Sequence, residues 1–133
     1  KLMDKQMEKK VIHTALAPEA IGPYSQAIKV AETVYLSGQI PLIANTMELI
    51  SGGVKEQAEQ VFENLKAVAE ASGGALSDIV KLTIYLTDMG DFPIVNAVMA
   101  DYFSLPYPAR ATIGVAALPK NCCVEVDAVM VLG

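Results

Sequence analysis

Arg110 is the only charge in the stretch 105–119. It follows prolines at 106 and 108 and precedes an apolar run that reads as a β-strand, so its side chain leaves the backbone at a fixed point. A fixed guanidinium calls for a fixed anion, either a structural carboxylate or a small acidic ligand. Glu125 is the candidate acid. In the last strand it shares a face with Cys123, Asp127, Val129 and Val131, while Val124, Val126, Ala128, Met130 and Leu132 take the other. Either Glu125 is a solvent-facing strand carboxylate, or it pairs or shares a ligand with Arg110. The two are expected close together but not locked, because a direct salt bridge would occupy the fork a ligand needs.

Three further places carry polar groups suited to a small ligand. Tyr24 is held rigidly by Pro18, Gly22 and Pro23, either as a core aromatic or as the wall of a pocket. Ser37 and Gly38 end a strand where the missing side chain permits close approach to the Gly38 amide. Asn96 lies near the apolar face of a predicted helix, as a local capping group or as a ligand contact.

The elements that position these residues follow from periodicity. Val11 to Leu16 reads as an edge strand, and Ala27–Val30 with Thr33–Leu36 as a hairpin turning at Ala31 and Glu32. Segment 41–53 reads as a surface loop. Apolar residues at Val54, Ala58, Val61, Leu65 and Val68 predict an amphipathic helix stopped by Gly73 and Gly74, with its carboxylates on a solvated face. Ile79 to Leu86 predicts an interior strand, followed by a helix capped by Asp91 with Pro93 in its first turn. Strands at 109–118 and 122–132, joined by Pro119 to Asn121, are expected to form a hairpin that makes Arg110 and Glu125 neighbours. This order predicts a mixed sheet of six strands with both helices on one face.

Composition narrows the function. The 133 residues make one domain, with residues 1–10 an extension outside it; Lys1 is no initiator, so Met3 or Met7 is the expected natural start. Hydrophobic residues are 53% of the chain, a surplus for its size that an apolar sheet face meeting another subunit would absorb. The net charge of −5 and scattered basic residues argue against a nucleic-acid footprint. Adjacent Cys122 and Cys123 cannot readily bond to each other, and one histidine offers no metal-ligand spacing. No apolar leader or membrane-length run is present, so a soluble, cytoplasmic protein is expected.

Several separated motifs then converge: Ala20 to Gln26, Ser37 to Pro41, Val95 to Ala97, Pro108 to Thr112, Val115 to Lys120 and Val124 to Ala128. In this order they resemble the RidA/YjgF family of reactive-intermediate deaminases over residues 11 to 132. The resemblance implies a chorismate-mutase-like α+β fold, a homotrimer whose sheets form an inner barrel, and sites in the clefts between subunits. It implies hydrolysis of 2-aminoacrylate and related 2-imino acids to 2-oxoacids and ammonia, with no metal and no cofactor. Arg110 would grip the substrate carboxylate and Glu125 would orient or deprotonate the water. The Gly38 and Thr112 amides would steady the ligand, with Tyr24, Ser37 and Asn96 shaping the cleft. Many members carry cysteine where this chain has Thr112, which puts any thiol-based activity there in doubt. The competing reading is a non-catalytic trimer that binds a metabolite or protein in the same cleft. A ribonuclease role, attached to relatives, is disfavoured by the acidic charge.

Overall fold

Alternation of apolar and polar side chains makes one sheet face stick to two helices, and the rest of the architecture follows from that. The structure, a computed structural model, describes residues 7–133; the expected starts at Met3 and within 1–6 lie outside the described residues, except Met7. The strands are β1 (Lys10–Ile12), β2 (Ala27–Val30), β3 (Thr33–Gln39), β4 (Ile79–Leu86), β5 (Ala109–Gly114) and β6 (Val124–Val131). The helices are α1 (Val54–Ala71) and α2 (Phe92–Tyr102). The edge strand predicted over 11–16 is the shorter β1, and Lys10 belongs to it.

The sheet order is β1-β2-β3-β6-β4-β5. The hairpin at the start is as expected, with Val30 opposite Thr33 and Ala31 turning at φ 52°. The hairpin expected at the end is not there. β6 inserts antiparallel between β3 and β4, and β5 pairs in parallel with the outer side of β4. The cause lies in burial. In β6, Val124, Val126, Ala128 and Met130 are all buried, a full apolar face that suits a central strand. β5 is built of Ala, Arg, Ala, Thr, Ile and Gly, is mostly exposed, and suits an edge.

α1 covers the sheet with Ala58, Val61, Phe62, Leu65, Val68 and Ala69, a stripe at helical spacing. It ends as predicted: Gly73 adopts φ 97°, and the Gly74 amide donates back to the Ala69 carbonyl. The Phe62 ring stacks on Tyr102 at 5.5 Å and meets Phe103 edge-on at 5.8 Å, tying α1 to α2. The cap before α2 is not the one expected. Asp91 makes no capping bond; Asp88 caps a 3-10 turn (Met89–Asp91) by accepting from the Gly90 amide at 2.8 Å, and α2 continues from that turn.

Two side-chain amides fix the loops around the site. Gln26, buried, donates to the carbonyls of Thr14, Ala17 and Pro18 and accepts from the Thr14 amide at 2.7 Å. Asn64 on α1, also buried, donates to the carbonyls of Ile40 and Leu42 and so anchors the start of the 41–53 loop. That loop carries a single bridge, Leu42 to Leu49. Among the described residues nothing covers the sheet face away from the helices, which carries exposed Tyr35, Ile113 and Val131 alongside Lys81, Thr83, Glu125 and Asp127. Among the described residues no helix is long and apolar enough to cross a membrane.

Candidate active site

β3 breaks its own register where the candidate residues begin. Leu36 pairs with Ala128 and Gln39 with Val126, so three steps along β3 match two along β6, and Ser37 and Gly38 lie in the bulge. Glycine there leaves room for the Glu125 carboxylate. A β-carbon on Gly38 would collide with Oε2 of Glu125 and would lie 3.0 Å from its Cδ. Ser37 turns its hydroxyl to donate to the Ser25 carbonyl, which joins the bulge to the strap carrying Tyr24. The side chain of Ser37 is thus committed to scaffolding.

Tyr24, Ser37, Gly38 and Glu125 all line one cavity of about 760 Å3. Tyr24 is 53% exposed, so it is a cavity wall and not a core aromatic. Ile21, Ile40, Leu42 and Met47 supply apolar walls, and Lys120 reaches the cavity from a turn in which its φ is 57°. Burial first, and the nearby Asp127 carboxylate second, hold the Glu125 carboxyl above its ordinary range. Asp127 is in turn engaged by Tyr85, whose hydroxyl donates to Oδ2 at 2.9 Å. A carboxyl whose ionised form is disfavoured is a stronger base once ionised, which suits it to taking and returning a proton.

Arg110 lies elsewhere. It pairs with Leu82 on β4, and its guanidinium reaches the helix side of the sheet. There Nη1 donates to Asn96 Oδ1 at 2.6 Å and touches Met99 Sδ at 3.5 Å, while Cζ sits 5.1 Å from the centre of the Phe92 ring. None of its hydrogen-bond partners among the described residues is a carboxylate. Asn96, Met99, Tyr107, Pro108 and Arg110 line a second cavity of about 410 Å3. Asn96 is therefore neither a cap nor a bystander: it takes one guanidinium N–H and aims the fork.

Arg110 and Glu125 are not neighbours within the chain. β4 lies between their strands, and Glu125 is opposite Tyr85 whereas Arg110 is opposite Leu82. Two strand spacings and the three-residue offset put the backbones about 14 Å apart, and the side chains project from opposite faces. The candidate residues therefore form two half-sites. Thr112 lines neither cavity; it shares the Arg110 face two residues further along β5, opposite Ile84. Cys123 also departs from expectation. It precedes β6 and turns to α1, where its amide and Sγ both donate to Gln57 Oε1, at 2.8 and 3.0 Å. Burial pushes both thiols up, Cys122 to about 11, so neither is a ready thiolate.

Sequence reasoning missed Phe92 and Met99 as the seat of the guanidinium, and Met47 and Lys120 as cavity walls. Phe92 and Met99 did carry a signal, since they flank Asn96 at helical spacing on one face. Lys120 did not, because only its left-handed backbone turns it inward.

Fold and cavities together describe a small α+β protein with an arginine lining one cavity and a half-buried carboxyl lining another. Residues 14–132 match the family model described as endoribonuclease L-PSP, and the chain belongs to that family, the RidA/YjgF family. The chain is 51% identical over 124 residues to the 2-iminobutanoate/2-iminopropanoate deaminase of Dermatophagoides farinae, covering 93% of this chain and 97% of the relative. The human protein of the same name is 46% identical over 125 residues, covering 94% of this chain and 91% of its own length. Among solved structures, RidA from an Antarctic Psychrobacter superposes with a TM-score of 0.90 at 52% identity, covering 92% of this chain and 99% of that one. TdcF of E. coli with bound serine superposes with a TM-score of 0.90 at 40% identity, covering 94% and 100% of the two chains.

Proposed function

We propose that the protein hydrolyses 2-imino acids, formed from enamines such as 2-aminoacrylate, to 2-oxoacids and ammonia, at sites completed between copies of the chain in a homotrimer. The observation that carries this reading is the division of the site. One half-site has a guanidinium with no carboxylate among its hydrogen-bond partners; the other has the Glu125 carboxyl, with Lys120 on the cavity wall but no arginine. A three-carbon acid cannot bridge two strands and the thickness of a sheet, so both groups act on it only if a second copy brings its Arg110 to the first copy's Glu125. The exposed Tyr35, Ile113 and Val131 on the uncovered sheet face support such an assembly. The names of the mite and human relatives support the reaction.

The chemistry needs little more. Arg110 grips both carboxylate oxygens through the N–H groups that Asn96 leaves free. The carboxylate next to the C=N carbon is thereby fixed, and the carbon is already electrophilic. Glu125 takes a proton from water as its oxygen bonds to that carbon, and solvent gives the imine nitrogen a proton to form a carbinolamine. Glu125 then returns its proton to nitrogen, the C–N bond breaks, ammonia leaves, and the carbinol hydroxyl gives its proton back to solvent as its oxygen becomes the carbonyl. One water is consumed for each ammonia released. Every step uses side chains of the protein and solvent.

The experiment is a complementation. Wild-type protein should speed pyruvate release from enzymatically generated 2-aminoacrylate, and Arg110→Ala and Glu125→Ala should each abolish the effect. Refolding the two variants together in equal amounts should restore about a quarter of the wild-type sites, because a cyclic interface joins unlike patches of neighbouring chains. Wild-type protein without effect would end the deaminase reading. Two inactive variants that fail to rescue each other would end the divided site. A binder without turnover would bind 2-oxoacids through Arg110 and tolerate Glu125→Ala.

A further inference from the structure

Among the described residues five polar side chains are buried: Gln26, Gln39, Gln57, Asn64 and Ser72. All but one are engaged within the chain. Gln26 and Asn64 serve loop carbonyls, Gln57 Oε1 accepts from Cys123, and the Ser72 hydroxyl donates to the Val68 carbonyl at 2.8 Å. Gln39 is 5% exposed, and its side-chain amide bonds to no described residue. Every fully enclosed side-chain nitrogen or oxygen among the described residues has a partner, so the Gln39 amide atoms reach open space. That space is the cavity which Glu125, Gly38 and Tyr24 also line.

Packing calls for a hydrocarbon at this position. Val34 and Leu36 point from β3 into the core, and the extra residue of the bulge shifts position 39 onto the same row, opposite buried Val126. A buried amide gives up its water and regains a hydrogen bond only if something else supplies one. Leucine or methionine would fill the place without that cost. What the amide offers instead is one acceptor oxygen and two N–H donors. Glu125 enters the cavity from the other side of the bulge, and Gly38 between them has no side chain to part the two.

The substrate of the proposed reaction has one polar group without a place. Its carboxylate goes to Arg110, and the new hydroxyl forms beside Glu125. The nitrogen carries N–H bonds throughout and turns positive before it leaves. We propose that Gln39 is a further substrate-contacting residue, whose Oε1 accepts an N–H bond from the imine and carbinolamine nitrogen and stabilises the departing ammonium. The inference rests on the deaminase reading and deepens it. The amide neither gains nor loses a proton; the protons still pass through Glu125 and solvent.

Gln39→Met and Gln39→Leu are close in volume to the native side chain and lack the amide. On enzymatically generated 2-aminoacrylate both should lose kcat by about 10- to 100-fold, the scale of one hydrogen bond to a group that gains charge. Pyruvate, which carries oxygen where the substrate carries nitrogen, should bind both variants as it binds the wild type in titration calorimetry. Urea unfolding should give midpoints equal to or above that of the wild type, because no bond within the protein is lost. Lower midpoints in both variants would overturn the inference by revealing a protein partner for the amide, from this chain or from a second copy. Unchanged kcat in both would overturn it too, and so would pyruvate binding that weakens in step with kcat, which would make Gln39 a wall of the cleft. Where the two variants differ, the unbranched methionine decides. All of these outcomes leave the deaminase reading standing. Wild-type protein without effect on 2-aminoacrylate would end that reading, and this inference with it.

Discussion

The carboxylate of Glu125 lies across the α-carbon of Gly38, in the space a β-carbon would occupy. The bulge in β3 and the absence of a side chain at 38 are one device: the extra residue bends the strand, and glycine lets the acid settle on the bend. Gly38→Ala should leave the fold intact, since the clash falls on the end of a flexible side chain. It should cut kcat/KM for imine hydrolysis by about 100-fold, the scale of displacing a catalytic group by about 1 Å. Circular dichroism should match the wild type; wild-type activity in this variant would show that Glu125 works from another position.

Asn96 aims one N–H of Arg110 and leaves the rest of the fork for an anion. Asn96→Ala should therefore weaken carboxylate binding more than turnover. A rise in KM of about tenfold, on the scale of one hydrogen bond to a charged group, is expected with kcat changed far less. Steady-state kinetics on 2-aminoacrylate separates the two parameters, and an equal loss in kcat would place Asn96 in the reacting step.

The Glu125 carboxyl is raised by burial and then by Asp127, so its ionised form is the costly one. The sign follows: the stability associated with this group is full below the ordinary glutamic acid value near ~4.3 and is lost as pH rises through the raised value. If Glu125 must be ionised to activate water, the acidic limb of kcat/KM should lie above the ordinary carboxylate range. Asp127→Asn keeps an acceptor for Tyr85 and removes the charge, so the limb should move to lower pH. A pH profile of the two proteins decides it; a limb that does not move would assign it to another group.

Asn64 is buried, and its amide serves two loop carbonyls. Asn64→Ala leaves those carbonyls unpaired and should cost about 1–3 kcal/mol. Urea unfolding should show a lower midpoint at unchanged slope, together with faster proteolysis inside 41–53.

How much of this could be read from residues alone depends on the range of the interaction. Both helices and five of the strands fall close to where periodicity puts them, because the stripe from Ala58 to Val68 and the run from Ile79 to Leu86 are local patterns. Strand order is not local. Proximity in sequence suggested that the strands of Arg110 and Glu125 pair, but β6 buries one full face between β3 and β4, and β5 has too little apolar surface to compete for that place. The β5 composition was a usable sign of an edge. The candidate side chains were found from their types and from the family motifs, yet their division over two faces is a property of the sheet order. The left-handed turns at Met47 and Lys120 had no glycine to announce them.

β5 is the last strand of the sheet, and its outer backbone groups have no strand beside them. It also carries Arg110 and Thr112. On the proposed reading, with Arg110 on a bare edge and Glu125 supplied by another chain, activity becomes a matter of mass action. Specific activity should stay constant at high protein concentration and fall on dilution, as subunits part and each keeps only half of a site. Lone subunits would then show an open strand edge to any passing chain, so the dilute enzyme should lose activity to aggregation as well as to dissociation.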